Sequence, residues 1–184
     1  MPPRLSEPRR RPRAVLFDRD GTLVVDVPYN GDPDHVSVMP GAARALDRLR
    51  AAGVPVGVVS NQSGIARGLL TPADVEAVHA RVEELLGPFA VWRWCPHGPD
   101  DGCRCRKPAP GMVLDAADAL GVAPADLAVV GDVAADVGAA HAAGARAVLV
   151  PTSVTRAEEV DAARAAGELA DDLDAAVALL GWPS

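Results

Sequence analysis

Two aspartates one residue apart, in Asp18-Arg-Asp20-Gly, follow the apolar run Ala14-Val-Leu-Phe17. A carboxylate at the end of a buried strand can serve as a nucleophile or a metal ligand, and glycine permits a sharp turn there. A polar turn after a strand also favours Asp, which hydrogen-bonds its own backbone, so both readings are open on this stretch alone. Ser60-Asn61-Gln62-Ser63-Gly64-Ile-Ala-Arg67-Gly68 follows a second apolar run, Val54 to Val59. Its hydroxyl, its amides and its backbone N–H groups can hold phosphate oxygens, or simply cap a loop. Gly131-Asp132-Val-Ala-Ala-Asp136 follows a third run. Asp18 and Asp132 together offer oxygen ligands to a hard cation such as Mg2+. Acids at a helix start also suit the helix dipole.

The segment from Cys95 to Lys107 holds all 3 cysteines of the chain and its single lysine, against 18 Lys and Arg in total. Cys95, His97, Cys103 and Cys105 read C-x-H-x5-C-x-C, and three thiolates with one imidazole make a closed tetrahedral zinc set. With no position left for water, such a metal is structural rather than catalytic. Three reduced thiols, or a strained Cys103–Cys105 disulfide, are the alternatives. A loop rich in Gly, Pro and Asp cannot build a core, so a metal clamp suits it. Arg106 and Lys107 directly follow the last ligand, and the clamp would set where they point. Lys107 there can neutralise phosphate charge or shield two acids from one another.

These residues must be carried by elements, and the pattern alternates strand with helix. Strands are predicted over 14–17, 54–59, 89–94, 127–130 and 146–150, and helices over 41–52, 71–86, 111–120, 134–143, 156–166 and 171–180. Thr71-Pro72 is an N-cap followed by Pro at the first helical position. Residues 24–39, with Pro28, Gly31 and Pro33, read as a loop or flap. The alternation argues a doubly wound parallel α/β sheet, whose ligands bind at the carboxyl ends of the strands. Asp18, Ser60, the 95–107 segment and Asp132 each follow a strand, so they can converge on one site.

Composition narrows the classes. Hydrophobic residues make up 49% of the 184, enough for one compact domain, expected over residues 14–184 behind a flexible basic tail at 1–13. A net charge of −7 argues against broad nucleic-acid binding. No apolar run is long enough to span a membrane. Three clustered thiols are not a disulfide framework, which points to a reducing cytoplasm.

Taken in order, DRDGTL at 18–23, SNQSGIARG at 60–68, CPHGPDDGCRCRKPAPGM at 95–112 and GDVAAD at 131–136 resemble the haloacid dehalogenase superfamily of phosphohydrolases. Within it the sequence is most similar to the D-glycero-D-manno-heptose 1,7-bisphosphate phosphatase family, with histidinol phosphatases as near relatives. The resemblance runs from about Ala14 to Val150. It implies that Asp18 attacks phosphorus and becomes a phospho-aspartate, and that Asp20 protonates the leaving alcohol and then activates water. It implies that Ser60 and Lys107 hold the phosphoryl group, with Asn61 and Gln62 also at the phosphate or substrate. Mg2+ would be bound by Asp18, the Asp20 backbone carbonyl and Asp132, with Asp136 supporting the site from behind. Arg67 and Arg106 are candidates for the distal part of the substrate. One position departs from the pattern: relatives often carry a basic residue after the Gly-Asp pair, where this chain has Val133.

The short spacings between motifs leave no room for an inserted cap domain, so the expected enzyme is capless, with the flap, the zinc loop and the Arg67 segment selecting a small phosphorylated sugar. SNQSGIARG matches the heptose bisphosphate family better than the histidinol phosphatases, which differ after Asn-Gln. The expected reaction is therefore removal of the 7-phosphate of the heptose bisphosphate, by a monomer. A histidinol-phosphate phosphatase and a non-catalytic phosphate-binding protein are the other readings.

Overall fold

The computed structural model describes residues 10–183. Five parallel strands form one sheet in the order β3-β2-β1-β4-β5. They are β1 Ala14–Phe17, β2 Val56–Asn61, β3 Val91–Cys95, β4 Leu127–Gly131 and β5 Arg146–Leu149. Helices α1 (Ala42–Ala51), α2 (Pro72–Leu86), α3 (Gly111–Leu120), α4 (Ala134–Ala143), α5 (Ala157–Ala166) and α6 (Leu173–Leu179) fill the connections and the C-terminal end. The doubly wound fold is the one that the alternating pattern predicts. Among the described residues, only α1 and a 3-10 turn at Pro33–His35 lie between β1 and β2, so the core is capless.

Every residue of β1 is buried, and its side chains alternate between two cores as the strand period demands. Val15 and Phe17 join Val58 of β2 and Val130 of β4 against α1, α2 and α6. Ala14 and Leu16 join Val59 and Val129 against α3 and α4. Burying a side chain the size of Leu16 or Phe17 stabilises by about 1.5–3 kcal/mol. The central strand, which ends at the first aspartate, is thus held from both faces. Helix α1 buries Ala42, Ala45, Leu46 and Leu49, the predicted stripe. Thr71 and Asp74 cap α2 reciprocally: the Thr71 side chain accepts from Asp74 N at 3.2 Å, and Thr71 N donates to Asp74 Oδ2 at 2.7 Å.

Some boundaries differ from the sequence pattern. Strand β2 starts at Val56 rather than Val54, because Pro55 has no N–H for a ladder and Val54 N instead closes α1 on the Leu49 carbonyl at 3.0 Å. Strand β3 starts at Val91, since Phe89 N donates to the Glu83 side chain at 3.1 Å. The 24–39 flap is pinned at both ends: Val25 N donates to Ser37 O at 2.8 Å and Met39 N to Leu23 O at 3.0 Å. Residues 1–9 of the expected tail lie outside the described residues. Residues 10–13 do not behave as a tail: Arg13 N donates to Asp126 O at 2.7 Å, and the Arg11 guanidinium lies 5.9 Å from the Trp182 ring. Pro12 is buried, and the Trp182 face gives the Arg11 side chain something to pack on.

Candidate active site

Three neighbouring strands deliver the polar groups. Asp18 follows β1, Ser60 and Asn61 end β2, and Asp132 follows β4. The β1–β4 register brings Phe17 beside Val130, and Asp18 N donates to Val130 O at 2.9 Å. Asp18, Asp132 and Asp136 offer carboxylate oxygens that all lie within 4.8 Å of one another. Two glycines make this possible. A Cβ on Gly131 would collide with the Asp136 carboxylate, and Gly21, at φ 78°, leaves no space for one beside the Asp132 carboxylate.

Lys107 reaches this cluster from the loop after β3. It is 4% exposed, and its three ammonium protons go to Asp136 Oδ1 at 2.6 Å, Asp18 Oδ1 at 2.8 Å and Val59 O at 2.9 Å. Burial opposes its charge, yet Asp136 and Asp18 offset this and hold its pKa above the ordinary lysine value. Asn61 fixes the lysine backbone at two points, accepting from Lys107 N at 3.0 Å and donating to Lys107 O at 3.1 Å. The other oxygen of Asp136 accepts from Val133 N at 3.2 Å, so this acid anchors the lysine and starts α4 at once. Val133 thus contributes its backbone to the site.

Burial pushes the Asp18 carboxyl up to about 8, against the opposing pull of Lys107 and with help from Asp136 and Asp20. Burial likewise raises Asp132 to about 6, Asp136 adding to it. A divalent cation between the two reverses this, because it favours both carboxylates. The donors are oxygens only, which fits Mg2+. Asp132 is aimed by two hydroxyls that the motifs do not contain. Thr152 Oγ1 donates to its Oδ2 at 3.2 Å, and Thr155 Oγ1 to its carbonyl at 2.6 Å. Both follow β5, at a strand end like the other site residues, but a hydroxyl there is too common to mark itself.

Asp20 sits at the wall of a hollow of about 250 Å3, shared with Tyr29 of the flap and with Gln62. Gln62 Nε2 donates to both Asp20 Oδ2 at 2.9 Å and Ser60 Oγ at 2.8 Å. Arg19, which its place between two acids does not single out in the sequence, pairs with Asp20 through Nε at 3.0 Å and Nη2 at 2.9 Å. Arg67 is exposed and packs its guanidinium 5.6 Å from the Tyr29 ring, at the rim of this hollow. A second hollow, of about 430 Å3, is lined by Gly102, Cys103, Arg106 and Lys107. Arg106 Nη1 donates to the His97 carbonyl at 3.2 Å.

Cys95, His97, Cys103 and Cys105 converge, with Cys105 Sγ 2.9 Å from Cys95 Sγ and 3.2 Å from His97 Nδ1. All three cysteines are free of disulfides. Burial pushes the Cys95 thiol up to about 12. Cys103 is drawn down to about 7: burial opposes its charge, but the Arg106 N–H and the neighbouring thiols outweigh it. Three thiols and an imidazole within 4.8 Å fit one tetrahedral zinc ion, which would favour all three thiolates.

Comparison with known proteins agrees with this geometry. A Haloacid dehalogenase-like hydrolase profile matches residues 15–74, and a HAD-hydrolase-like profile matches residues 104–176. The D-glycero-beta-D-manno-heptose-1,7-bisphosphate 7-phosphatase of Pseudomonas aeruginosa is 43% identical over 143 residues, covering 75% of this chain and 80% of that protein. This chain belongs to the heptose 1,7-bisphosphate phosphatase family of haloacid dehalogenase-like hydrolases. The family member from Escherichia coli is 38% identical over 141 residues, covering 71% of this chain and 74% of its own length. The crystal structure of the Bordetella bronchiseptica family member, complexed with magnesium and phosphate, superposes with a TM-score of 0.75 at 34% identity and covers 91% of this chain and 97% of that one. Membership in a phosphatase family makes this chain a phosphatase, and its buried carboxylate set suits the magnesium that the Bordetella protein holds.

Proposed function

We propose that this phosphatase removes the 7-phosphate of D-glycero-D-manno-heptose 1,7-bisphosphate, through a phospho-aspartate on Asp18, within one domain spanning residues 14–184. The observation that supports the substrate most is the 43% identity to a protein bearing that activity's name. In this reading the 7-phosphate enters over the strand ends. One Asp18 oxygen attacks phosphorus while the other stays on Lys107, and the P–O bond to the sugar breaks. Asp20 gives the departing sugar oxygen a proton and then takes one from the water that cleaves the acyl phosphate. A single group serves both steps because the second reverses the proton demand of the first. Lys107 and Ser60 bind the transferring phosphoryl oxygens, with Gln62 aiming the Ser60 hydroxyl. Mg2+ held by Asp18, the Asp20 carbonyl and Asp132 supplies positive charge that lets an anionic nucleophile meet an anionic phosphate.

Arg67 and Arg106 sit at the rims of the two hollows flanking Asp20 and Lys107, where an anionic distal group can reach either of them. Asn61 sets Lys107 and, with Gln62, lines the hollow beside Asp20 where substrate would lie. The zinc set holds the loop that carries Arg106 and Lys107. No described helix is long and apolar enough to cross a membrane, and reduced thiols suit a cytoplasmic enzyme. A capless phosphatase needs no second copy to cover its site, which fits a monomer. The decisive experiment offers purified enzyme with Mg2+ both heptose 1,7-bisphosphate and histidinol phosphate. A kcat/KM at least about 100-fold higher on the heptose compound is expected. A higher value on histidinol phosphate overturns the substrate, and turnover of neither favours a binding role.

A further inference from the structure

Arg19 is 1% exposed, and a guanidinium taken so far from water must serve something specific, since an apolar side chain there would cost less. Its Nε and Nη2 make a two-pronged pair with the two oxygens of Asp20 at 3.0 and 2.9 Å. Its third nitrogen, Nη1, is buried with no hydrogen-bond partner. The backbone of the same residue is pinned. Arg19 N donates to Asp18 Oδ1 at 2.8 Å, and Arg19 O accepts from both Leu23 N and Val24 N at 3.0 Å. One residue thus holds the nucleophile with its backbone and the adjacent acid with its side chain.

On the other side Gln62 Nε2 donates to Asp20 Oδ2. Three donor contacts from two residues fix the plane of a carboxylate whose side chain is 25% exposed to the hollow. Behind the guanidinium stands His79, 8% exposed, stacked on Trp92 at 4.4 Å, with its Nε2 also buried and unpartnered. Burial and the Arg19 charge keep this imidazole neutral. His79 therefore adds no competing charge, and among the described residues Asp20 is the one carboxylate at ion-pair distance from Arg19, with Asp26 acting on it only from farther off.

We propose that Arg19 is a positioning residue for phosphoryl transfer, whose buried fork fixes the direction in which Asp20 meets the leaving oxygen. The proposal rests on the acid–base role of Asp20, and leaving-group dependence separates the two. p-Nitrophenolate departs without a proton, whereas the alkoxide of glycerol 3-phosphate needs one. The value of kcat/KM reports the steps through release of the leaving group, so it isolates formation of the phospho-aspartate.

Arg19→Gln is expected to lower kcat/KM on glycerol 3-phosphate by about 30-fold and on p-nitrophenyl phosphate by less than about 3-fold. Arg19→Lys, which keeps the charge and loses the fork, is expected to show the same selective loss. It carries the comparison if the neutral variant does not fold. Asp20→Asn should show a larger selective loss, and adding Arg19→Gln to it should cost little more, because both changes remove one function. Equal losses on the two substrates, full activity, or additive losses in the double variant overturn the proposal. If Asp20→Asn itself lacks leaving-group selectivity, the acid–base assignment falls and the Arg19 proposal falls with it. Selectivity in Asp20→Asn but not in the Arg19 variants overturns the Arg19 proposal alone.

Discussion

Lys107 is the residue on which most of the site's bonds converge, and its variants are the most informative at this scale. Lys107→Ala removes the charge beside the phosphoryl group and leaves Asp18 and Asp136 facing each other without a cation, so kcat should fall by about 10²–10³. Asn61→Ala leaves the ammonium in place but frees the backbone on both sides, so a smaller loss in kcat is expected, about tenfold, with KM changed little. Asp18→Asn should abolish turnover, by about 10⁴ or more, without lowering the melting temperature. It removes the proposed nucleophile, whose charge is disfavoured by burial, and calorimetry beside the activity assay checks both halves. Most of these residues are legible in sequence because strand ends, acids and a lone lysine mark themselves. Arg19 is not, since a charge between two acids looks like a solvated turn until its burial is seen. Thr152 and Thr155 are not either, because hydroxyls after a strand are too common to stand out.

At the scale of elements, the pattern of apolar runs and caps locates every β-strand and α-helix among the described residues, and α3 and α4 end to end, while the short 3-10 turn at Pro124–Asp126 goes unmarked. It errs where the N–H of a residue goes to something other than the ladder, as at Val54 and Phe89, because periodicity does not record hydrogen-bond partners. The side-chain pairing of Asn61 with Lys107 is equally hidden: nothing in local spacing says that the end of β2 grips the loop after β3. That grip leads to a prediction about the Cys/His loop. Elemental analysis of enzyme purified without chelator should show about one zinc per chain. Chelation that strips zinc should lower kcat, with restoration by Zn2+ and not by added Mg2+, because the loop then loses the clamp that aims Lys107 and Arg106. Full activity in zinc-free protein would refute the clamp.

For the whole molecule, stability and chemistry share the central strand, and one buried side chain gives stability a pH dependence. His79 has its pKa pushed down to about 3, first by burial and then by Arg19. In the unfolded chain it protonates near 6.5, so below that pH the unfolded state binds the extra proton and stability is lost as pH falls toward the folded value. His79→Phe keeps a ring against Trp92 and removes the titration. Urea unfolding from pH 7 to pH 4 should show a flatter acid limb for that variant than for the parent, and parallel limbs would contradict this sign. The order of the elements along the chain has a further bearing, on synthesis. Asp18 and Asp20 leave the ribosome early, but the ammonium they need comes after β3 and its anchor, Asp136, only after β4. A nascent or truncated chain therefore carries both acids without the ammonium that pairs with Asp18 in the folded protein. On the proposed mechanism, phosphate release awaits folding of the chain through α4, so turnover would report how far folding has gone.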